Sequence, residues 1–183
     1  MRRTVAAGAG IVLIGAVTLH LMGRRLWCAC GSPAPWSWDI WSAHASQHLI
    51  DPYTFTHVLH GVLYYAALRL ALGARWPSAR VLLALALEVA WEIVENTPAV
   101  IAAYRKSTIA AGYTGDTIAN SLGDIAACLL GYAAAMSLPA VVSALGVVAV
   151  EAVLLLTIRD SLLLSVVNLL RPIEAIRAWQ AGG

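Results

Sequence analysis

Five long apolar segments, separated by short polar connections, constrain the fold of this chain more than any other feature. Apolar residues make up 60% of its 183 residues and charged residues only 12%, whereas roughly 25% of residues are charged in a typical soluble domain. A helix of roughly 20 apolar residues is long enough to cross a bilayer core about 30 Å thick. We therefore predict an all-α integral membrane protein, one domain over 1–183, with five transmembrane helices. Their approximate ranges are 5–22, 56–74, 80–96, 117–138 and 139–158.

The first apolar segment follows Arg2 and Arg3, as either a signal peptide or a membrane anchor would. Its apolar run is longer than the core of an ordinary signal peptide, and no small-residue cleavage site follows it. We interpret it as an uncleaved anchor helix, so the expected partner is the lipid bilayer. A formal net charge of only +2, spread along the chain, argues against nucleic acid. The sequence gives no indication of a protein partner.

The C-terminal segment "RDSLLLSVVNLLRPIEAIRAWQ" has an apolar part too short to cross a membrane, and Pro172 interrupts it. We predict an interfacial amphipathic helix at about 161–179, lying in the headgroup region.

The distribution of basic residues favours a cytoplasmic N-terminus. In that orientation the first short connection, with Arg69, Arg75 and Arg80, also lies in the cytoplasm, as the positive-inside rule prefers. Five other basic residues oppose this assignment: Arg105, Lys106, Arg159, Arg171 and Arg177. We retain the N-in orientation, which puts the long loop after the first span on the periplasmic side.

Polar side chains recur at helical spacing in three of the five spans. Residues three or four apart share one face of a helix. The three polar stripes are His57, His60 and Tyr64; Glu88, Glu92 and Glu95; and Asp116, Asn120 and Asp124. Because adjacent spans run in opposite directions, all three stripes approach the same membrane face. We predict one polar cavity that enters the bundle partway from that face.

Carboxylates in these stripes are the candidate catalytic residues. An acidic residue near the centre of a span costs about 2.5–3.5 kcal/mol on insertion scales, so several together indicate a function. We predict general acid or base roles for Glu92, Glu95, Asp116 and Asp124. Asp116 has a second interpretation, as an acidic residue that stabilises the first turn of a helix.

His57 and His60 share one helix face at a spacing that suits two ligands of one metal ion. With Glu92, they form our predicted site for a divalent cation. The alternative is a pair of interfacial histidines that bond to carbonyl groups or water.

Asp51, Asn120 and Arg159 lie towards the same membrane face, and we predict that they bind substrate. Asn120 has the alternative role of a hydrogen-bonding residue between helices.

The long loop contains His44, His48, Cys28 and Cys30. We favour a structural role for both histidines. Two thiols in a C-x-C alone are a weak indication of metal binding, and a disulfide across one residue is expected to be strained.

Several motifs resemble those of the VanZ-like group of bacterial membrane proteins, in which an Asp and a His begin one span, a Glu-bearing span follows, and a Gly/Asp/Asn/Gly pattern begins a helix. The counterparts are Asp51 with His57 in "DPYTFTHVLHG", Glu92 in "EVAWEIVEN", and Asp116, Asn120 and Gly123 in "GYTGDTIANSLGD". As a whole, the chain is similar to an uncharacterised family of small multi-pass membrane proteins from Gram-negative bacteria. That family has similar "CxCG", "SQHxxDxYxxxHxxHG" and "PIEAIxxWQ" stretches. The resemblance implies a location in the bacterial inner membrane and no particular activity.

Two functions of different classes follow from the polar cavity. The first is a membrane-embedded enzyme that acts on a lipid-linked or headgroup substrate at one membrane face, by metal-dependent or acid/base chemistry. The second is a non-enzymatic membrane protein, either a proton- or cation-coupled carrier or an accessory module. A cavity that ends within the bundle favours the enzyme, because a carrier needs a path to the opposite face.

Overall fold

A computed structural model describes residues 2–107 and 112–181 of the chain. Within those ranges the regular secondary structure consists of helices, apart from an isolated bridge between Trp36 and Ile50. The helices are α1 Arg2–Leu21, α2 Thr54–Leu72, α3 Pro77–Glu95, α4 Pro98–Ser107, α5 Ile118–Ser137, α6 Ala140–Ile158, α7 Leu162–Leu170 and α8 Glu174–Gln180. The predicted all-α class is therefore confirmed.

All five predicted long helices are present, as α1, α2, α3, α5 and α6, with ends within a few residues of the predicted ones. Among the described residues, only α1, α5 and α6 are long and apolar enough to cross a membrane, which is fewer than the five predicted. The reason lies in the polar stripes. α3 carries Arg80 and three glutamates, and α2 carries His57, His60 and Arg69.

The prediction of a single helix at 161–179 is wrong. The segment forms two helices, because α7 ends at Leu170 and α8 begins at Glu174. Pro172 lies between them; proline has no N–H group and its ring clashes with the carbonyl group four residues earlier. The two helices fold against each other, and Asn168 Nδ2 donates a buried hydrogen bond to Gln180 Oε1 at 3.2 Å. α7 also packs against α4, a short helix that the sequence analysis did not predict.

The centre of the bundle is the contact between α2 and α5, where two glycines allow the backbones to approach closely. A Cβ atom at Gly61 would overlap the backbone carbonyl of Cys128, and one at Gly131 would overlap the carbonyl of Val58. α1 packs on α3 in a similar way, with Gly15 against Val89. Small residues permit this close packing of helices.

The long loop between α1 and α2 has no regular helix, yet its backbone is tied to the beginning of α5. The N–H groups of Thr117, Ile118 and Ala119 donate to backbone carbonyls of the loop at 2.8–3.2 Å. The first N–H groups of a helix lack partners within the helix. The loop supplies these partners, and it is thereby held over the end of the bundle where the polar stripes meet.

Candidate functional site

A cavity of about 170 Å³ lies at the end of the bundle where α2 begins, α3 ends and α5 begins. The polar part of its wall includes histidine and carboxylate side chains from these three helices. The apolar part comes mainly from the loop and from α7. The principal polar lining residues are Tyr53, His57, His60, Glu95, Tyr104, Tyr113, Asp116, Asp124 and Asp160, and the apolar ones are Ile40, Leu162, Val166 and Leu169. The predicted polar cavity is therefore present.

Glu88 links the two histidines of α2. His57 Nδ1 lies 2.5 Å from Glu88 Oε1, and His60 Nδ1 lies 3.1 Å from Glu88 Oε2. An ionised carboxylate only accepts hydrogen bonds, so each Nδ1 is the donor in this arrangement and each Nε2 of a neutral ring keeps a free lone pair. A carboxylate that fixes the tautomer and orientation of a histidine in this way is common around metal sites. The sequence analysis placed Glu88 in the polar stripe but did not assign it to the site.

The Glu92 side chain lies next to His57 and is almost completely buried, at 1% exposure. Its Oε1 atom is 3.4 Å from His57 Nδ1. Within the described residues, neither of its carboxylate oxygens accepts a hydrogen bond, and the same holds for Oδ1 of Asp124. Burying polar atoms without partners costs several kcal/mol. These oxygens are therefore suited to a bound cation or to a shared proton.

Two sets of three side chains have ligand atoms close enough to hold one metal ion, and both include His57. The first set is His57, His60 and Glu88, and the second is His57, Glu92 and Glu95. In each set the three ligand atoms lie within 4.8 Å of one another. Imidazole together with carboxylate suits zinc, manganese or iron. The predicted ligands His57, His60 and Glu92 are thus close together, although they are divided between two alternative sets.

Asp116 forms the part of the polar wall that precedes α5. Its Oδ1 accepts a hydrogen bond from Tyr113 Oη at 2.9 Å, and its Oδ2 accepts one from Asn96 Nδ2 at 2.7 Å. Asn96 Oδ1 in turn accepts the backbone N–H of Asp116 at 2.8 Å. Burial raises the pKa of the Asp116 carboxyl to about 6, although the hydrogen bonds from Tyr113 and Asn96 oppose the shift. A carboxyl with this pKa is suited to general acid or base catalysis near neutral pH.

Asp160 lies across the cavity, between α6 and α7. It accepts hydrogen bonds from Tyr53 Oη at 3.1 Å and from Ser165 Oγ at 3.2 Å. Burial raises the pKa of the Asp160 carboxyl to about 6. The sequence analysis did not assign Asp160 to the site, because a single acid after a span carries no periodic signal.

The three predicted substrate-binding residues have different environments. Asp51 is buried and accepts the backbone N–H groups of Ser46 and Thr54, at 2.9 and 3.0 Å, so it caps the start of α2. Asn120 is also buried, and its Nδ2 has no hydrogen-bond acceptor in the described part of the chain. Arg159 is exposed and donates to the carbonyl of Trp179 at 3.2 Å. None of the three is among the cavity-lining residues.

Comparison with known proteins identifies relatives along most of the chain. Residues 19–182 match the family described as "Protein of unknown function (DUF2585)". A UPF0314 protein of Paracoccus denitrificans is 43% identical over 93% of this chain and 89% of its own length. A UPF0314 protein of Sinorhizobium fredii is 43% identical over 94% of this chain and 88% of its own, and one of Sphingopyxis alaskensis is 40% identical over 96% and 93%. No solved structure matches.

The printed names of these relatives assign no reaction, and they agree with the expected resemblance to an uncharacterised bacterial family. The likeness to VanZ stays a prediction. From the length and identity of these matches, the chain belongs to the DUF2585 family of bacterial proteins of unknown function.

Proposed function

We propose that this chain is a multi-pass protein of the bacterial inner membrane that binds a divalent cation in its buried His/Glu cluster. With that cation and neighbouring carboxyls, it catalyses acid/base chemistry on a lipid-linked or headgroup substrate. The observation that carries the proposal is the pair of unpartnered oxygens of Glu92, buried beside His57. A cation satisfies both oxygens and offsets the cost of burying the carboxylates around them.

Each residue of the site has a distinct role in this proposal. His57 and Glu92 ligate the cation, with either His60 or Glu95 completing the set, and Glu88 orients the imidazoles when it is not a ligand. A bound divalent cation polarises a phosphoryl or carbonyl oxygen, or lowers the pKa of a bound water. Asp116 supplies or accepts a proton at the cavity, because its pKa is about 6. Asp124 Oδ2 lies 3.9 Å from His57 Nε2, so it places negative charge next to the nitrogen that would ligate the cation.

The mixed lining of the cavity favours an amphipathic substrate. Carboxylates and imidazoles from the three long helices line the cavity together with Leu162, Val166 and Leu169 of α7. A polar headgroup attached to a lipid matches both surfaces, whereas a fully polar metabolite matches only one of them.

In the proposed membrane arrangement, all five long helices cross the bilayer, including α2 and α3. Their polar side chains face one another and the cavity, as intramembrane ionisable groups generally do. The N-terminus is cytoplasmic and the cavity opens towards the periplasm. Labelling of single cysteines by a membrane-impermeant maleimide in intact cells tests this orientation. Cysteine at the exposed Trp38 of the loop is expected to react, and cysteine at the exposed Trp76 between α2 and α3 is not.

Metal analysis of the purified protein tests the cation site. In a Cys28→Ser, Cys30→Ser background, which removes the thiols of the long loop, we expect about one equivalent of Zn, Mn, Fe or Mg, and at least a tenfold weaker binding when Glu92→Gln or His57→Gln is added. The matched control is Glu174→Gln, because Glu174 is an exposed residue of α8. Failure of this background protein to bind any of these metals, or unchanged metal binding when Glu92→Gln is added, would refute the cation site.

The catalytic part of the proposal has its own test. Vesicles of phosphatidylethanolamine, phosphatidylglycerol and cardiolipin are incubated with the reconstituted protein and analysed by mass spectrometry. A changed headgroup with the unaltered protein, and none with Asp116→Asn, is the expected result. Metal binding without any change in these lipids would reject phospholipid headgroups as the substrate.

One observation favours the carrier as the second candidate. Arg80 lies at the other end of α3, is buried at 6% exposure, and its Nε and Nη1 atoms have no acceptor among the described residues. Arg80 would give a carrier a charged group towards the opposite face, although residues 81–87 of α3 between it and Glu88 are all apolar. Proton or cation flux into vesicles that is lost in Glu88→Gln would establish a carrier and reject the enzyme.

A further inference from the structure

Four potential metal ligands from the long loop converge outside the His/Glu cluster. Cys28 and Cys30 form a C-x-C pair, and His44 and His48 are four residues apart. One ligand atom from each of the four side chains lies within 4.8 Å of the other three. Cys28 and His44 are 16 residues apart in the sequence, and Cys30 and His48 are 18 apart. The fold of the loop therefore creates this cluster.

The contacts between thiols and imidazoles match a tetrahedral zinc centre. Cys28 Sγ lies 3.7 Å from His44 Nδ1, and Cys30 Sγ lies 3.9 Å from His48 Nε2. The two ring nitrogens are 3.1 Å apart. With ordinary zinc–sulfur and zinc–nitrogen bonds, the ligand atoms of a tetrahedron are about 3.3–3.6 Å apart for these pairs. The observed separations differ from those values by only a few tenths of an ångström.

Hydrogen bonds around the cluster also favour the ligand forms of its side chains. The Nδ1 atom of His48 lies 2.6 Å from the carbonyl oxygen of Ala34. A carbonyl oxygen only accepts, so Nδ1 carries the proton, and Nε2 of the neutral ring has a free lone pair beside the thiols. Such a second-shell bond fixes the tautomer and orientation of metal-binding histidines.

Backbone N–H groups point at both sulfur atoms. The N–H of Cys30 donates to Cys28 Sγ at 3.2 Å, and the N–H of Ser32 donates to Cys30 Sγ at 3.4 Å. These bonds favour the charged thiolate over the neutral thiol, because hydrogen bonds to the charged form of a group stabilise it. Gly31, between the two donors, has a φ of +71° that allows the tight turn.

We propose that Cys28, Cys30, His44 and His48 form a second, structural metal site that holds one zinc-type cation. Its ligands are the two sulfur atoms, His44 Nδ1 and His48 Nε2. Two thiolates with two imidazoles select zinc or copper(I) over magnesium, calcium or manganese. Four protein ligands leave no open position for substrate, which is typical of a structural zinc site. This site is separate from the proposed cation site at His57 and does not depend on it.

The thiolate form of the cysteine pair is the one that binds the cation, with release of the two thiol protons to water. In this structure the two cysteines are paired as a disulfide, so the metal-bound form requires their two-electron reduction to thiols, which a phosphine or thiol reductant supplies. Disulfide formation removes two electrons and two protons from the same two thiols, so the disulfide and the metal-bound form exclude each other. Cys30 is exposed and His44 is partly exposed, so a cation can enter from solvent.

The proposed site lies in the loop that covers the cavity. Ser46 and Gln47, between the two histidines, bond to Thr117 N and Gly115 O at 3.1 and 2.8 Å, just before α5. Ser46 N also donates to Asp51, which caps α2. A cation at the four ligands therefore anchors the turn that joins the loop to the beginnings of α2 and α5.

Cobalt and zinc titrations of the full-length protein test the site. The detergent-solubilised protein is reduced with a phosphine, stripped with a chelator and titrated with Co²⁺. We expect one equivalent to give thiolate-to-cobalt charge-transfer absorption, which a site of histidines and carboxylates cannot give, and we expect Zn²⁺ to displace it. The absorption should be lost in Cys28→Ser and Cys30→Ser, and the Zn²⁺ affinity should fall at least tenfold in His44→Ala and His48→Ala.

Two control variants separate this site from other groups of the same type. Cys128→Ser removes the buried thiol of α5, and His20→Ala removes an exposed histidine of α1; both should bind Co²⁺ like the unaltered protein. Glu92→Gln should also keep the charge-transfer band, even if the His/Glu cluster binds no metal. Reduced protein that shows no thiolate–cobalt band, or whose band persists in Cys28→Ser, would overturn the proposal and leave the pair as a disulfide or as free thiols only.

Discussion

The Nδ1 atom of His57 on α2 lies 2.5 Å from the Oε1 atom of Glu88 on α3, and both side chains are buried in the helix bundle. The same carboxylate reaches His60 one turn later on α2. Glu88 therefore joins two helices and two imidazoles beside the cavity. Removal of this carboxylate leaves the two Nδ1–H groups without their present acceptor.

Glu88→Ala should destabilise the protein by about 1–3 kcal/mol, the range for leaving buried hydrogen-bonding groups without a partner. Thermal unfolding of the detergent-solubilised protein measures the effect. Glu174→Ala on the exposed surface of α8 is the control and should change stability by less than about 0.5 kcal/mol. Equal melting temperatures of Glu88→Ala and the control would mean that the His57–Glu88 contact adds nothing to the fold.

Gly61→Ala should separate α2 from α5, because the new Cβ would overlap the backbone carbonyl of Cys128. The expected loss is about 1–3 kcal/mol, as for other overpacked interiors. Gly10→Ala in α1 is the matched control, since no heavy atom of another element lies within 4 Å of its Cβ position. We expect that variant to be neutral or slightly more stable, because alanine favours helix over glycine. A neutral Gly61→Ala would contradict the close contact of the two backbones.

Asp160 should make the protein less stable as the pH rises from about 4 to about 6. Burial raises its pKa from the ordinary 3.8 to about 6 in the folded state, so the folded state retains a proton that the unfolded state loses. The stabilisation is complete below the unfolded pKa and is lost as the pH rises through the folded pKa, with a total of up to about 3 kcal/mol.

Asp160→Asn tests this pH dependence, since the amide keeps the shape of the side chain but does not titrate. Unfolding temperatures measured between pH 4 and 7 should fall less steeply in this variant than in the unaltered protein. Asp39→Asn, in the exposed part of the loop, should keep the original slope. If Asp160→Asn has that slope too, Asp160 is not the titrating group.

Thr117→Ala should weaken the start of α5 by about 1 kcal/mol, the typical effect of removing an N-cap side chain. Thr117 Oγ1 accepts the backbone N–H of Asn120 at 3.1 Å, and the same turn carries the loop contacts that cover the cavity. Thr157→Ala is the control, because that threonine is exposed on α6 and bonds only within its own helix. Circular dichroism during thermal unfolding compares the two variants, and equal stabilities would reject the capping role.

The helices and the location of the cavity were predictable from the sequence because both depend on short-range periodicity and on the alternating direction of successive spans. His57 and His60 share a face through their three-residue spacing alone, and so do Glu88 and Glu92. The short helix α4 was missed, since Pro98–Ser107 is too short and too polar for a span. The proposed five membrane crossings follow from the same patterns. In the described ranges, three helices are long and apolar enough to cross a membrane.

The functions of isolated polar residues were not predictable, because their partners lie far away in the chain. Glu151, in the middle of α6, accepts the N–H groups of Leu162 and Leu163 at the start of α7. Arg159 lies on the outside, and Asp160, its neighbour, lines the cavity. Neither outcome has a periodic signature, since both depend on where the chain turns after α6.

The sequence by itself determined that this chain forms long helices whose polar stripes meet at one end, because a helical period of 3.6 residues is a local property of the chain. Only the tertiary structure decided that Cys28 and Cys30 meet His44 and His48, and that Glu88 joins two histidines. Those contacts depend on how the loop turns and on how closely α2 and α3 approach. Both are set by the packing of the whole bundle and by the backbone hydrogen bonds of the loop to the first turn of α5.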